Sequence, residues 1–171
     1  FRPSPDGSAF AYTAVDDSQG GPGIQTVVVV RVDGTGLHAH EGHTYNRPEW
    51  PPSGAHLVYT HRGDDGTVAL RAISRDGGNP FELDAAIDGS ALNPFPFEGG
   101  TLYAKRLGGS TRPSLSSVRF GNGARAHFDS TEVQLLAASP DGTFLAYRPD
   151  VPVPFRSQIG LYSGHPWPRV D

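Results

Sequence analysis

The sequence predicts an all-β fold of repeated antiparallel sheets, and three observations carry that prediction. Composition is the first. The 171 residues include 22 glycines and 16 prolines, no methionine and only 19% charged residues, which suits short strands joined by turns rather than long helices. Periodicity is the second: no stretch places apolar residues at i, i+3, i+4 and i+7 over several turns, whereas short alternating apolar runs are frequent. The third is a turn that is written twice, as Ser4-Pro5-Asp6-Gly7 and again as Ser139-Pro140-Asp141-Gly142.

The turn belongs to a series. "SPDGSAFAY" (4–12), "PPSGAHLVY" (51–59), "PFEGGTLYA" (96–104) and "SPDGTFLAY" (139–147) share one pattern, and their anchors Gly7, Gly54, Gly99 and Gly142 follow at intervals of 47, 45 and 43 residues. A second series keeps the same period: "RVDGTG" (31–36), "SRDGGN" (74–79), "RFGNGA" (119–124) and "YSGHP" (162–166) each follow an apolar run. Two turn markers in step define an internal repeat.

Each element of the repeat has a physical reason. In Ser-Pro-Asp-Gly, Pro presets φ for the first turn position, Asp bonds nearby backbone, and Gly takes the left-handed conformation that returns the chain as a hairpin. Asp6 and Asp141 are therefore read as turn formers and not as catalytic acids. A strand follows each anchor: Phe10-Ala11-Tyr12, Leu57-Val58-Tyr59, Leu102-Tyr103-Ala104 and Leu145-Ala146-Tyr147. After a polar loop comes a second apolar run, "IQTVVVVRV" (24–32), "VALRAIS" (68–74), "PSLSSVRF" (113–120) or "QIGLYS" (158–163). Val27 to Val30 are apolar on both faces, which predicts cover on both sides of that strand. A short outer strand after each Asp-Gly-type turn, and an inner strand before each anchor (near Pro48–Trp50, Pro94–Pro96 and Gln134–Ala138), complete a four-stranded antiparallel meander.

A sheet with two apolar faces that recurs about every 45 residues stacks on copies of itself, and radial stacking of four-stranded blades is the β-propeller. A β-sandwich is the rival, but nothing in a sandwich requires turns at a fixed period. The expected chain is a single propeller segment of four blades, approximately 1–44, 45–90, 91–131 and 132–171, within a larger ring.

The residues also carry a resemblance. "RPSPDGSAFAY", "RPEWPPSGAHLVY" and "AASPDGTFLAY", each followed by a turn of the Asp-Gly type, resemble the TolB-type (WD-like, Pro-Asp) propeller repeat over nearly the whole chain. The third repeat departs from it, with Glu98-Gly99 in place of Asp-Gly. The resemblance implies a propeller of the kind found in bacterial envelope binding proteins, in serine peptidases as a regulatory domain, and in some glycan-degrading lyases. It favours a periplasmic or other extracytoplasmic location. Members of this type usually have six to eight blades.

Other classes are excluded or left without support. A net charge of −4 provides no basic field for nucleic acid, and no apolar run is long enough to span a bilayer as a helix. With no cysteine there are neither disulfides nor thiolate metal ligands. The motifs G-x-S-x-G, G-x-G-x-x-G, H-E-x-x-H and the P-loop are absent; "GLYSG" (160–164) has its serine in the wrong place. No catalytic residue and no cofactor is assigned, and an enzyme is not the favoured reading.

The candidate binding residues lie in the loops after the second strands, which a propeller gathers on one rim. Asp16, Asp17, Asp64 and Asp65 make the first two loops acidic; Arg106, Arg112, Arg148 and Arg156 make the last two basic. A rim with an acidic and a basic side suits a charged or zwitterionic protein or peptide partner. The ordinary alternative is solvated loop charge. Calcium at "DDSQGG" or "GDDG" lacks a loop pattern of known type. His38, His40 and His43 of "LHAHEGH" could gather around a Zn²⁺- or Mn²⁺-type ion, although no spacing there is diagnostic and no tightly bound ion is expected. His56 and His61 read as structural, and "RPDVPVPF" (148–155) as a stiff spacer.

Two alternatives stay open: the propeller domain of a serine peptidase whose catalytic domain is absent from this chain, and a metal-assisted carbohydrate-active propeller. The sequence opens on Phe1-Arg2-Pro3, already at a turn, and ends abruptly after "HPWPRVD" (165–171). Additional blades or a second chain are expected to cover the ends of the segment, since an open arc would expose apolar faces.

Overall fold

The computed structural model describes residues 1–16, 24–41, 47–87, 94–105, 114–127, 133–139, 144–149 and 160–163. Among these residues there is no helix, and every strand pairing is antiparallel between sequence neighbours. The first sheet orders β1 (Arg2–Pro3), β2 (Ala9–Asp16), β3 (Ile24–Arg31) and β4 (His38–Glu41). The second orders β5 (His56–Arg62), β6 (Val68–Ser74) and β7 (Phe81–Asp84). The third orders β8 (Phe95–Phe97), β9 (Gly100–Lys105), β10 (Ser114–Arg119) and β11 (Arg125–His127). In the fourth, β12 (Val133–Ala138), β13 (Phe144–Pro149) and β14 (Gly160–Ser163) lie in order.

The second sheet differs from the expected four strands. Its inner strand is reduced to one bridge, Glu49 to Val58. The reason is local: Pro48, Pro51 and Pro52 surround Glu49, and proline has no N–H to give a ladder. Glu49 and Val58 still exchange both backbone bonds at 2.9 Å, so the bridge keeps the register.

The second sheet is packed on both faces. Leu57, Tyr59 and Ile73 bury themselves against Ala11, Val27 and Val29 of the first sheet, with Trp50 alongside. Val58, Leu70, Ala72 and Leu83 turn the other way and meet Tyr103 and Val118 of the third sheet. Alternation along β5 thus serves two cores with one strand. Each fully buried Leu, Ile or Val side chain among them is worth roughly 1.5–3 kcal/mol, so the stacked faces outweigh any one polar contact between the sheets. Beyond the third sheet, β12 approaches β8 and β10.

One face assignment departs from the repeat spacing. Counting from the anchor glycines, Tyr103 stands in the place of Ala11 and Val58, both of which face the next sheet. Tyr103 faces back toward the second sheet instead. The third turn is a two-residue hairpin, with Glu98 and Gly99 between the paired Phe97 and Gly100. The first is longer, closed by Ser4 N–H to the Ala9 carbonyl. A shift of one residue exchanges the two faces of a strand, and the shorter turn carries such a shift. Gly99 keeps the left-handed φ of Gly7 and Gly54, at 75° against 71° and 65°.

Candidate functional site

The second and third strands of every sheet are joined at the same end, where Asp16 pairs Ile24, Arg62 pairs Val68, Lys105 pairs Ser114 and Tyr147 pairs Gly160. Of the rim candidates, four fall on described residues. Asp64 and Asp65 are exposed between β5 and β6. Asp16 ends β2 and Arg148 lies in β13, placed by their backbones alone, whereas Asp17, Arg106, Arg112 and Arg156 lie outside the described residues.

Asp65 has a local task. Its Oδ1 accepts the Thr67 N–H at 2.9 Å and the Thr67 hydroxyl at 2.6 Å, and these bonds hold its carboxyl below the usual range. Asp33 does the same with Thr35. Asp6 accepts the Ser4 hydroxyl and both donors of Ser8, and its other oxygen takes Arg75 Nη1 at 2.6 Å from the second sheet. An aspartate, a glycine and a hydroxyl residue thus build one turn three times, which supports turn formation rather than acid catalysis as the role of Asp6. Asp141 lies outside the described residues. Asp64 is exposed and makes no such bond among the described residues.

His38 and His40 sit in β4 opposite Val29 and Val27, on one side of the strand. The His38 ring lies against the Gly77 turn so closely that a Cβ at Gly77 would collide with it. His43 lies outside the described residues, as does the side chain of His40. Among the described residues no three His, Asp or Glu side chains converge as metal ligands. His56 packs between Phe81 and Phe120, with both ring centroids at 5.6 Å.

The most developed polar centre is one that the rim reading did not include. Asp84 is 3% exposed, at the seam of the second and third sheets. A β-bulge puts it there: Leu70 pairs Asp84 while Arg71 pairs Glu82, so Leu83 is the extra residue, and Leu83 and Asp84 both turn inward. Lys105 Nζ donates to both carboxylate oxygens at 2.8 Å, the Tyr103 hydroxyl donates to Oδ2 at 2.6 Å, and the Ala85 N–H donates to Oδ1 at 3.0 Å. Arg125 Nε stands 3.6 Å from Oδ1, and its Nη2 donates to the Leu83 carbonyl at 2.9 Å.

Electrostatics decide what this centre can do. Burial pushes the Asp84 carboxyl upward, but the bonds from Lys105 and Tyr103 and the charges of Lys105 and Arg125 outweigh it and hold the group below its ordinary value. Burial, with the carboxylate beside it, pushes the Tyr103 phenol well above the usual range. Asp84 is therefore a saturated anion and Tyr103 a locked neutral donor. Neither is poised to move a proton near neutral pH, and the centre braces two sheets. One sequence signal points to it: Lys105 is the only lysine in the chain. The first seam has a looser counterpart, with Arg2 Nη2 on Glu49 Oε1 at 2.8 Å and Trp50 Nε1 donating to the Arg2 carbonyl at 3.1 Å.

Stacked antiparallel meanders braced at their seams define a β-propeller module. No protein-family model and no curated protein matches the sequence. Solved structures do. The chain is similar to TolB from Acinetobacter baumannii, with a TM-score of 0.63 at 16% identity over 95% of this chain and 40% of that one. It is also similar to the β-propeller domain of the Trilobed protease from Pyrococcus furiosus, with a TM-score of 0.64 at 10% identity, covering 96% of this chain and 53% of that one. An acylaminoacyl peptidase gives a TM-score of 0.64 at 12% identity over 95% of this chain and 30% of its own. The fold is a TolB-like β-propeller, and the chain spans about half or less of the length of each of these structures. No helix among the described residues is long and apolar enough to cross a membrane.

Proposed function

We propose that the chain is a non-catalytic binding module whose rim hairpins receive a protein or peptide partner carrying both signs of charge. The observation that supports this reading is the common end of the second-to-third-strand hairpins, two acidic and two basic in sequence. Opposed charges on one rim favour encounter with, and orientation of, a complementary segment. The four sheets are proposed to be blades, with boundaries near 44, 90 and 131. An extracytoplasmic setting, the one the TolB-type resemblance implies, is proposed with them.

The test is titration with fluorescent peptides of equal length that are acidic, basic, mixed or neutral. The mixed peptide is expected to bind best. D64K, which leaves the Asp65–Thr67 bonds in place, and R112E reverse rim charges and should each weaken it about fivefold, or roughly 1 kcal/mol. Peptide binding indifferent to both reversals, or no peptide binding, would remove the proposal.

Likeness to peptidase propellers favours a second reading, the propeller domain of a serine peptidase. Sequencing the parent reading frame tests it, since it requires a catalytic domain on the same chain. A metal-assisted carbohydrate-active propeller would need the His38, His40 and His43 group to hold an ion. Elemental analysis before and after H40A tests that.

A further inference from the structure

Arg125 is held in an unusual way for a surface arginine. Its Nε faces the Asp84 carboxylate at 3.6 Å and its Nη2 donates to the Leu83 carbonyl at 2.9 Å, so one edge of the guanidinium is tied to the second sheet. The side chain is nevertheless 49% exposed. Among the described residues no bond reaches Nη1, so the edge formed by Nη1 and the far side of Nη2 is the one that can meet a ligand.

Among the described residues, the charges that meet at this centre do not balance. Asp84 carries one negative charge, while Lys105 and Arg125 carry one positive charge each, and Lys105 already spends two bonds on the carboxylate. The imbalance extends beyond the seam. Residues 91–131 contain five Lys and Arg against two Asp and Glu, whereas residues 1–90 contain six against twelve. The third repeat is a basic island in an acidic chain.

We propose that Arg125 is the anchor for a carboxylate of an acidic peptide segment, which docks along the seam of the second and third sheets. Guanidinium and carboxylate match as two parallel N–H to O bonds, and a guanidinium already fixed on one edge loses little freedom in making them. The inference rests on the proposed binding function and names where the acidic part of the partner sits.

The experiment measures binding of an acidic peptide and of the mixed-charge peptide to the wild-type chain, R125K, R125Q and R119Q. R125K keeps the charge and loses the fork. R119Q removes a charge from the same sheet at a site where the guanidinium lies over Phe97, on the opposite face. The acidic peptide is expected to bind the wild type, to lose about tenfold in affinity with R125K or R125Q, and to lose less than about twofold with R119Q. Thermal melts confirm that each variant is folded, and R125K carries the test should R125Q not fold. No binding of the acidic peptide, wild-type affinity in R125K, or equal losses in R119Q and R125Q would each overturn the proposal. If the mixed peptide binds and responds to D64K but not to Arg125, the anchor fails while the binding reading stands. If neither peptide binds, both fail.

Discussion

Tyr103 on β9 and Asp84 at the end of β7 meet across the seam of two sheets, hydroxyl to carboxylate at 2.6 Å. The pair ties a polar bond to a hydrophobic seam, because Tyr103 also packs with Val58, Leu70 and Leu83. Y103F keeps the ring and removes one of the donors to Asp84, and should cost about 1–2 kcal/mol. D84N leaves two cations without their anion; since Lys105 and Arg125 can still reach water, it should cost about 2–3 kcal/mol, below the full loss for a sealed pair. In urea unfolding the double variant should cost less than the two single losses together. Strict additivity would show that the bond is not coupled to the centre.

The same centre sets an acid dependence with a definite sign. The folded Asp84 carboxyl lies below its ordinary value, so the stability it contributes is complete above the unfolded pKa and is lost as pH falls toward the folded one. The stability difference between wild type and D84N should be flat near neutral pH and shrink below about pH 4. A difference that grew on acidification would contradict the assignment of Asp84 as a stabilised anion.

Lys105, as the only lysine, can be followed by itself. Its ammonium is bound to both oxygens of Asp84, and its side chain is 21% exposed. Acylation with an amine-directed ester, read by mass spectrometry, should be at least about tenfold slower in the native chain than in urea, because modification waits for local opening. Equal rates would mean that the ion pair does not persist in solution.

Ala86 has a φ of 51°, in the left-handed region that L residues avoid. The turn holds it there, with the Ile87 N–H bonded to the Val68 carbonyl at 2.9 Å. A86G removes a steric penalty of about 1–2 kcal/mol and adds chain entropy worth about 0.5–1, so it should stabilise by roughly 0.5–1 kcal/mol. A lower melting temperature for A86G would show that this turn is not strained.

Thr60 is 1% exposed on β5, and its hydroxyl has no hydrogen-bond partner among the described residues. T60V keeps the shape and removes the stranded hydroxyl, and it should be neutral or stabilising by up to about 1 kcal/mol. A loss of more than that in chemical denaturation would reveal a bond made by the hydroxyl in solution.

Much of the architecture was legible because turns are local. The prolines, aspartates and glycines of the anchors dictate hairpins from a few residues, and the apolar pattern after each anchor marks the second strand. Three things were not local. The faces of the third sheet depend on a hairpin between Phe97 and Gly100 that is shorter than its relatives, a length that letters aligned on Gly99 conceal. The Asp84 centre depends on a bulge, and a bulge is visible only when two strands are laid side by side. Asp65 looked like part of a charged rim, yet much of its hydrogen bonding goes to Thr67 two residues away. Charge in a loop reads the same in sequence whether it faces a partner or its own backbone.

The second sheet, with Leu57 and Ile73 committed to one side and Val58 and Leu70 to the other, has no face of its own to fold on. Its strands gain most of their stability only when both neighbours are in place, so order here spreads from sheet to sheet as in a one-dimensional array. Amide hydrogens of β5 and β6 should then exchange only through openings that also release a neighbouring sheet. The middle of the chain, not its hairpin tips, reports when the assembly as a whole lets go.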